Sequence, residues 1–145
     1  MPTDLGQPYP IDWAGTPAQM LAADIPIWKR FQEKFASVFD RFYFNVKVGG
    51  PDWELIKADP AIAQMWWELK AKKIDVLAEK KDEIWIIEVS KEAGIRAVGQ
   101  ILTYRLLWSL DPKINKPVQS YLVCDILDSD LEFSCMANAI RVLLV

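Results

Sequence analysis

The sequence contains no histidine among its 145 residues. An imidazole base, a histidine-ligated metal and a serine–histidine pair are therefore excluded, so hydrolytic chemistry would have to use carboxylates, lysines and a metal ion. Basic residues are not in excess either, because 17 lysines and arginines stand against 20 aspartates and glutamates, a net charge of −3. This balance argues against a protein that simply coats nucleic acid, since phosphate contacts supply most of such non-specific affinity.

Long apolar runs and signal-like segments are also missing. No stretch approaches the roughly 18 to 20 apolar residues of a membrane helix, so we expect no membrane association. The first ten residues show no basic region followed by an apolar run, which predicts a cytoplasmic protein without a secretory signal. The two cysteines, Cys124 and Cys135, lack metal-site spacing and stand among apolar residues. We expect them to be reduced thiols in the core.

Apolar and aromatic residues are abundant. The chain is 52% hydrophobic and has seven tryptophans and six phenylalanines, enough to build one core. Five of the nine prolines fall in residues 1–26, which predicts an extended N-terminal arm with little regular structure. Residues 27–145 are then predicted to form a single domain.

The periodicity of apolar residues predicts a mixed α/β fold in the order α-β-β-β-α-β-α-β. The predicted helices cover 27–40, 95–109 and 129–138, and the predicted strands cover 42–48, 74–79, 84–89, 118–126 and 140–145. In the first strand Phe42, Phe44, Val46 and Val48 alternate with polar or less apolar residues. Residues 51–68 look irregular, with a helical turn around 61–67. Helices between the later strands favour a mixed sheet covered on both faces.

The two central strands are predicted to form a hairpin around Lys80–Glu83. If the turn is centred between Lys81 and Asp82, paired positions sum to 163, and Asp75 lies opposite Glu88. Their Cβ atoms would be roughly 4.5 to 5.5 Å apart on one face, too close for two bare carboxylates. A divalent cation between them would relieve the repulsion. The alternative is that both acids lie at solvated strand ends.

Three segments of the sequence resemble the core of PD-(D/E)xK nucleases, the superfamily of restriction enzymes and RecB-type exonucleases. They are Ile74-Asp75-Val76-Leu77-Ala78, Ile86-Ile87-Glu88-Val89 and Ala97-Val98-Gly99-Gln100-Ile101-Leu102-Thr103-Tyr104. The resemblance implies a restriction-endonuclease-like mixed sheet flanked by helices. It also implies that Asp75, Glu88 and the Val89 carbonyl bind Mg²⁺ or Mn²⁺. It further implies that Gln100 and Tyr104 flank the site and bind substrate, and that Gln100 has a catalytic role in orienting water or phosphate.

The sequence departs from the family pattern at the catalytic lysine, whose position is occupied by Ser90. Lys91 is adjacent, but strand alternation points it to the opposite face from Glu88 unless a β-bulge redirects it. On the predicted pairing, Lys73 lies opposite Ser90 and on the face of Asp75, so it could supply the ammonium from the neighbouring strand. We expect Lys73 to be closer to the carboxylates than Lys91. The alternative for Lys73 is a solvated charge.

Other residues are weaker candidates. Glu33 could be an additional acid on the first helix, but the helical wheel places it away from the apolar face, where a surface charge is expected. Trp66 and Trp67 could stack on bases, although adjacent tryptophans more often divide between core and surface. Arg96 and Arg105 could contact phosphates or form the solvated side of their helix.

The resemblance implies a Mg²⁺-dependent deoxyribonuclease with DNA as its partner. Because compact stand-alone forms of this fold are frequent in phages, it also implies a phage or prophage origin and a location in the host cytoplasm or a virion. The alternative is a nuclease-fold protein that has lost catalysis and serves as a subunit of a homo-oligomer or larger assembly. Ser90, the acidic balance and the aromatic-rich first helix and strand favour that alternative.

Overall fold

The computed structural model describes residues 3–50 and 59–145, and it contains a five-stranded sheet with helices on both faces. This is the mixed α/β class predicted from the sequence, a mixed sheet covered on both faces. The strands are β1 (Arg41–Val48), β2 (Lys72–Glu79), β3 (Ile84–Ala93), β4 (Val118–Leu127) and β5 (Ile140–Leu144). The α-helices are α1 (Ile25–Phe35), α2 (Pro60–Lys70), α3 (Ile95–Leu110) and α4 (Glu132–Ala137).

The strands lie side by side in sequence order. Strands β1, β2 and β3 are antiparallel neighbours, whereas β4 and β5 continue the sheet in parallel orientation after helical crossovers. The helices separate the parallel strands because a parallel connection needs a crossover that an antiparallel hairpin does not. Because β2 and β3 are antiparallel, the carboxyl end of β3 lies beside the amino end of β2. Helix α3 starts at this same end of the strands.

Apolar side chains fill the space on both faces of the sheet. On one face α1 contributes Trp28 and Phe31, which are fully buried against Phe42 of β1. On the other face α3 contributes Tyr104 and Trp108, which pack against β1, β2 and β3. Trp28, Phe31 and Phe42 are thus internal, so these three aromatic residues of the first helix and strand are not exposed to a partner and do not favour the assembly alternative.

Four predicted elements differ from the observed ones. Strand β3 runs to Ala93, four residues beyond its predicted end at Val89. Helix α1 ends at Phe35 and continues as a single 3-10 turn, Ala36–Val38, rather than reaching Asp40. The predicted turn around 61–67 belongs to an eleven-residue helix, α2, so the element order gains a helix between β1 and β2. The predicted helix over 129–138 consists of a 3-10 turn, Ser129–Leu131, followed by α4.

Strand β1 does not keep one alternation along its whole length. Asn45 has a φ of +53°, a left-handed conformation that asparagine tolerates better than most residues. Phe42 accordingly packs on the α1 face, whereas Val46 and Val48 pack on the α3 face. The sequence pattern alone placed all of them on one face, which is wrong because the backbone rotates at Asn45.

The N-terminal arm lies along the free side of β1. Its backbone makes two isolated bridges to that strand, Asp4 with Lys47 and Tyr9 with Phe42. The Gln32 side chain donates hydrogen bonds to the carbonyls of Ile11 and Trp13 and so fixes the next part of the arm to α1. The arm therefore covers part of an edge strand that would otherwise expose unpaired backbone groups.

Candidate active site

Asp75 and Glu88 come together where β2 and β3 separate. The hairpin register runs from Glu79↔Ile84 to Val76↔Ile87, which is the predicted pairing, and the bridged pairs end one position before the two acids. There the Asp75 carboxylate takes the place of a backbone acceptor, since its Oδ2 accepts a 3.0 Å hydrogen bond from the Val89 N–H. The divergence of the two strands thus opens a space beside both carboxylates.

The Glu88 carboxyl group is buried and incompletely hydrogen-bonded. Glu88 is 7% exposed, and its Oε2 has no hydrogen-bond partner among the described residues. Burial, followed by the negative charge of Asp75, raises the pKa of Glu88 to about 9. Burial also raises the pKa of Asp75, although the Val89 N–H opposes that rise. Near neutral pH the metal-free pair therefore retains a proton.

A cavity of about 470 Å³ extends from the two carboxylates. One wall comes from the arm and the start of α1, a second from the end of β3, and a third from the first turns of α3. The lining residues include Gln19, Met20, Asp24, Asp75, Glu88 and Ser90. Glu92, Arg96 and Gln100 also line it. Such a concave space with several convergent polar groups is the usual form of an active site.

Asp24 is a site residue that the sequence analysis missed. It occupies the N-cap position of α1, yet its side chain makes no capping hydrogen bond to the helix. Instead its Oδ1 accepts a 2.8 Å hydrogen bond from the Lys91 N–H, which places a third carboxylate in the cavity. An acid directly before an Ile-Pro helix start was the available signal, but it fell in the segment assigned to the arm.

Helix α3 brings Gln100 and Tyr104 to the carboxylates. Gln100 lines the cavity, and its Nε2 lies 3.4 Å from the Tyr104 hydroxyl oxygen, one helical turn away. Burial and the charges of Glu88 and Asp75 raise the pKa of Tyr104, against the opposing effects of Gln100 and Arg96. Tyr104 therefore stays a neutral hydroxyl at ordinary pH.

Neither candidate lysine lines the cavity. The Lys73 ammonium donates a 3.0 Å hydrogen bond to Gln19 Oε1 of the arm. Lys91 contributes its backbone N–H to Asp24, and the residue is exposed. Ser90 does line the cavity, and its hydroxyl donates to the Glu92 carbonyl. The catalytic roles of Lys73 and Lys91 remain predictions.

The structure places the remaining candidate residues in different surroundings. Glu33 lies on a different, shallow depression beside the arm. Trp67 is 6% exposed and its indole N–H donates to the Gly49 carbonyl, whereas Trp66 is 50% exposed, so the pair divides between core and surface. Arg105 donates to the Ser120 hydroxyl and the Asn138 carbonyl, which ties α3 to β4 and to the end of α4.

Asp75 and Glu88 offer adjacent carboxylate oxygens of the kind that a hard divalent cation binds. The Oε2 atom of Glu88 has no hydrogen-bond partner among the described residues, and the acid pair retains a proton. A bound cation could contact that oxygen and take the place of the proton. In the described part of the chain no group of three or more histidine, cysteine, aspartate or glutamate side chains is arranged to hold a metal. An ion would therefore rest on two carboxylates, a backbone carbonyl and water, a donor set that Mg²⁺ accepts.

Comparison with known proteins gives limited similarity. No family model matches the sequence. No curated protein matches it either. Among solved structures, the chain is similar to the crystal structure of a repair endonuclease from Pyrococcus abyssi, with a TM-score of 0.39 and 19% identity. The match covers 51% of this chain and 33% of that one, so it spans about a third of the endonuclease. At this level the likeness carries no argument.

Within residues 3–50 and 59–145, none of the helices combines the length and the apolar character needed to cross a bilayer.

Proposed function

We propose that this protein is a metal-dependent phosphodiesterase that acts on DNA, a nuclease of the PD-(D/E)xK type. The observation that carries the proposal is the pairing of Asp75 with Glu88, whose Oε2 is buried and unpartnered, at the wall of a cavity. Two buried acids side by side lower the stability of the fold unless a cation compensates their charge. Their presence in a cleft therefore indicates a functional role.

Asp75, Glu88 and the Val89 carbonyl would hold Mg²⁺ or Mn²⁺. When bound, such an ion polarises a phosphate and lowers the pKa of a coordinated water. The Gln100 amide nitrogen is directed to Tyr104, which leaves its carbonyl oxygen able to accept a hydrogen bond from the attacking water. The Tyr104 hydroxyl accepts from the Gln100 amide and so orients it. Because Tyr104 is neutral, it does this without repelling a substrate phosphate.

Cleavage by the purified protein tests this proposal. Single-stranded and double-stranded DNA are incubated with Mg²⁺, with Mn²⁺ or with EDTA, and products are resolved on denaturing gels. We expect cleavage only with metal, and we expect Asp75→Asn and Glu88→Gln each to abolish it. Asp82→Asn is the matched control, because this acid lies in the hairpin turn of the same two strands. Metal-dependent cleavage that survives in both site variants would refute the assignment.

A second function, a non-catalytic assembly subunit, is favoured by an apolar stripe on α2. The stripe consists of Ile62, Met65, Trp66 and Leu69, which are 49%, 52%, 50% and 74% exposed. Their i, i+3, i+4, i+7 spacing is the pattern that helices use to bury one face. Light scattering of the wild type and of Leu69→Glu distinguishes the two functions. A wild-type oligomer that dissociates in the variant, together with no metal-dependent cleavage, would favour the assembly subunit.

A further inference from the structure

The cavity has an uneven distribution of charge. Four carboxylates line it, those of Asp24, Asp75, Glu88 and Glu92. Against them stands a single cationic side chain among the described lining residues, Arg96. A phosphodiester is itself an anion, so a site with this many acids needs a fixed positive charge where the phosphate oxygens lie.

Among the described residues, the Arg96 side chain has no hydrogen-bond or ion-pair partner. Its guanidinium takes part in none of the hydrogen bonds or ion pairs found between side chains in the described residues, whereas Arg105 on the same helix is bound to Ser120 and Asn138. Gln100 lies four residues after Arg96, so both project from one side of α3 into the cavity. The two residues thus form one wall of the same cavity that Asp75 and Glu88 line.

We propose that Arg96 holds the scissile phosphodiester of the substrate from the wall that it forms with Gln100, and that Arg96 supplies the positive charge for which the family pattern uses a lysine. This inference rests on the proposed phosphodiesterase function and assigns the substrate-binding part of that site. It also gives a reason why Ser90 is compatible with catalysis, since the cation would come from the helix and not from the strand.

The chemistry limits Arg96 to one role. In hydrolysis a water oxygen forms a bond to phosphorus, the bond from phosphorus to the leaving sugar oxygen breaks, and negative charge increases on the two non-bridging oxygens. The water loses one proton to solvent and the leaving oxygen gains one, so the sum is water plus diester giving monoester plus alcohol. A guanidinium stays protonated throughout and can donate two parallel N–H bonds to those oxygens, but it cannot act as the base.

Binding measured without turnover provides the first test. Fluorescence anisotropy of a labelled single-stranded oligonucleotide is recorded in EDTA and in Ca²⁺, over a series of salt concentrations. If Arg96 contacts a phosphate, Arg96→Met should weaken binding and reduce the slope of log K against log[salt] by about 0.7 to 1. Arg141→Met is the matched control, because it removes the same charge from β5, away from the cavity. An unchanged slope in Arg96→Met would overturn the inference.

Cleavage provides the second test and separates this inference from the proposed function. We expect Arg96→Met to lower the cleavage rate on the order of 10²-fold to 10³-fold, and Arg96→Lys to fall between it and the wild type. Guanidinium at sub-denaturing concentration should partly restore Arg96→Ala, an effect that a merely structural role would not produce. A wild type that cleaves and an Arg96→Met variant that cleaves equally well would refute only the phosphate wall. A wild type that never cleaves would refute the phosphodiesterase, while an altered salt slope in Arg96→Met would still support the wall.

Discussion

Replacing Glu88 by glutamine should make the metal-free protein more stable at alkaline pH. The pKa of Glu88 is about 9 in the folded protein and about 4.5 for an unperturbed glutamate, mainly because the folded carboxyl group is buried. Between these two values the folded state holds a proton that the unfolded state has released. Stability therefore falls as the pH rises through this window, by about 1.4 kcal/mol per pH unit at most. Glutamine carries no titrating proton and removes this dependence.

The free energy of unfolding is measured by urea denaturation in EDTA at pH 6, 7 and 8, with tryptophan fluorescence as the signal. Titrating groups away from the Asp75–Glu88 pair contribute almost equally to both proteins, so the informative quantity is the stability of Glu88→Gln minus that of the wild type. We expect this difference to increase by roughly 2 to 3 kcal/mol from pH 6 to pH 8. A difference that stays constant would show that Glu88 is already ionised in the folded protein and that the burial argument is wrong.

Glu79→Gln is the control for this experiment, because Glu79 is also buried in the sheet but is paired. Burial alone would raise the pKa of Glu79, yet hydrogen bonds from Lys116 and Arg41 lower it below its ordinary value. A lowered pKa contributes stability that is fully present above the unfolded-state pKa and is lost only as the pH falls below it. Glu79→Gln should therefore be destabilised by the same amount at pH 6 and pH 8.

Three further predictions concern the same site. Calorimetric titration with Mg²⁺ or Mn²⁺ in buffers of different ionisation enthalpy should show release of about one proton per bound ion. The affinity for the ion should rise about tenfold per pH unit between pH 6 and 8. Binding without proton release would contradict the proton retained by Asp75 and Glu88. Ser90→Lys should increase metal-dependent cleavage, and if only this variant cleaves, the natural chain is a degenerate nuclease. Asp24→Asn should lower metal-dependent cleavage while leaving the melting temperature within a few degrees of the wild type, whereas a large loss of thermal stability would show that the Asp24–Lys91 contact is mainly structural.

Much of the fold could be predicted because its signals are local. The hairpin register follows from the polar turn at Lys80–Glu83 and from the alternation of buried residues on either side, and a register shift of one would move every buried side chain to the wrong face. Helix α3 was predicted within one residue at its C-terminal end because an apolar run is stopped by Asp111 and Pro112. Helix α2 was predicted only as a turn around 61–67. Its apolar stripe faces outward, so the segment does not show the pattern of a helix that packs its apolar side against the sheet.

The sequence by itself determined the identity and spacing of the acids Asp75 and Glu88 and of Gln100 with Tyr104, because strand and helix periodicities are properties of consecutive residues. It also excluded histidine chemistry. Only the tertiary structure decided which other charges reach the cavity. Asp24 joins the site from 51 positions before Asp75 through the Lys91 N–H, and Arg96 enters it while Lys73 is held by Gln19. The physical reason is that the path of the arm and the crossing of α3 set these positions, and neither is encoded in local periodicity.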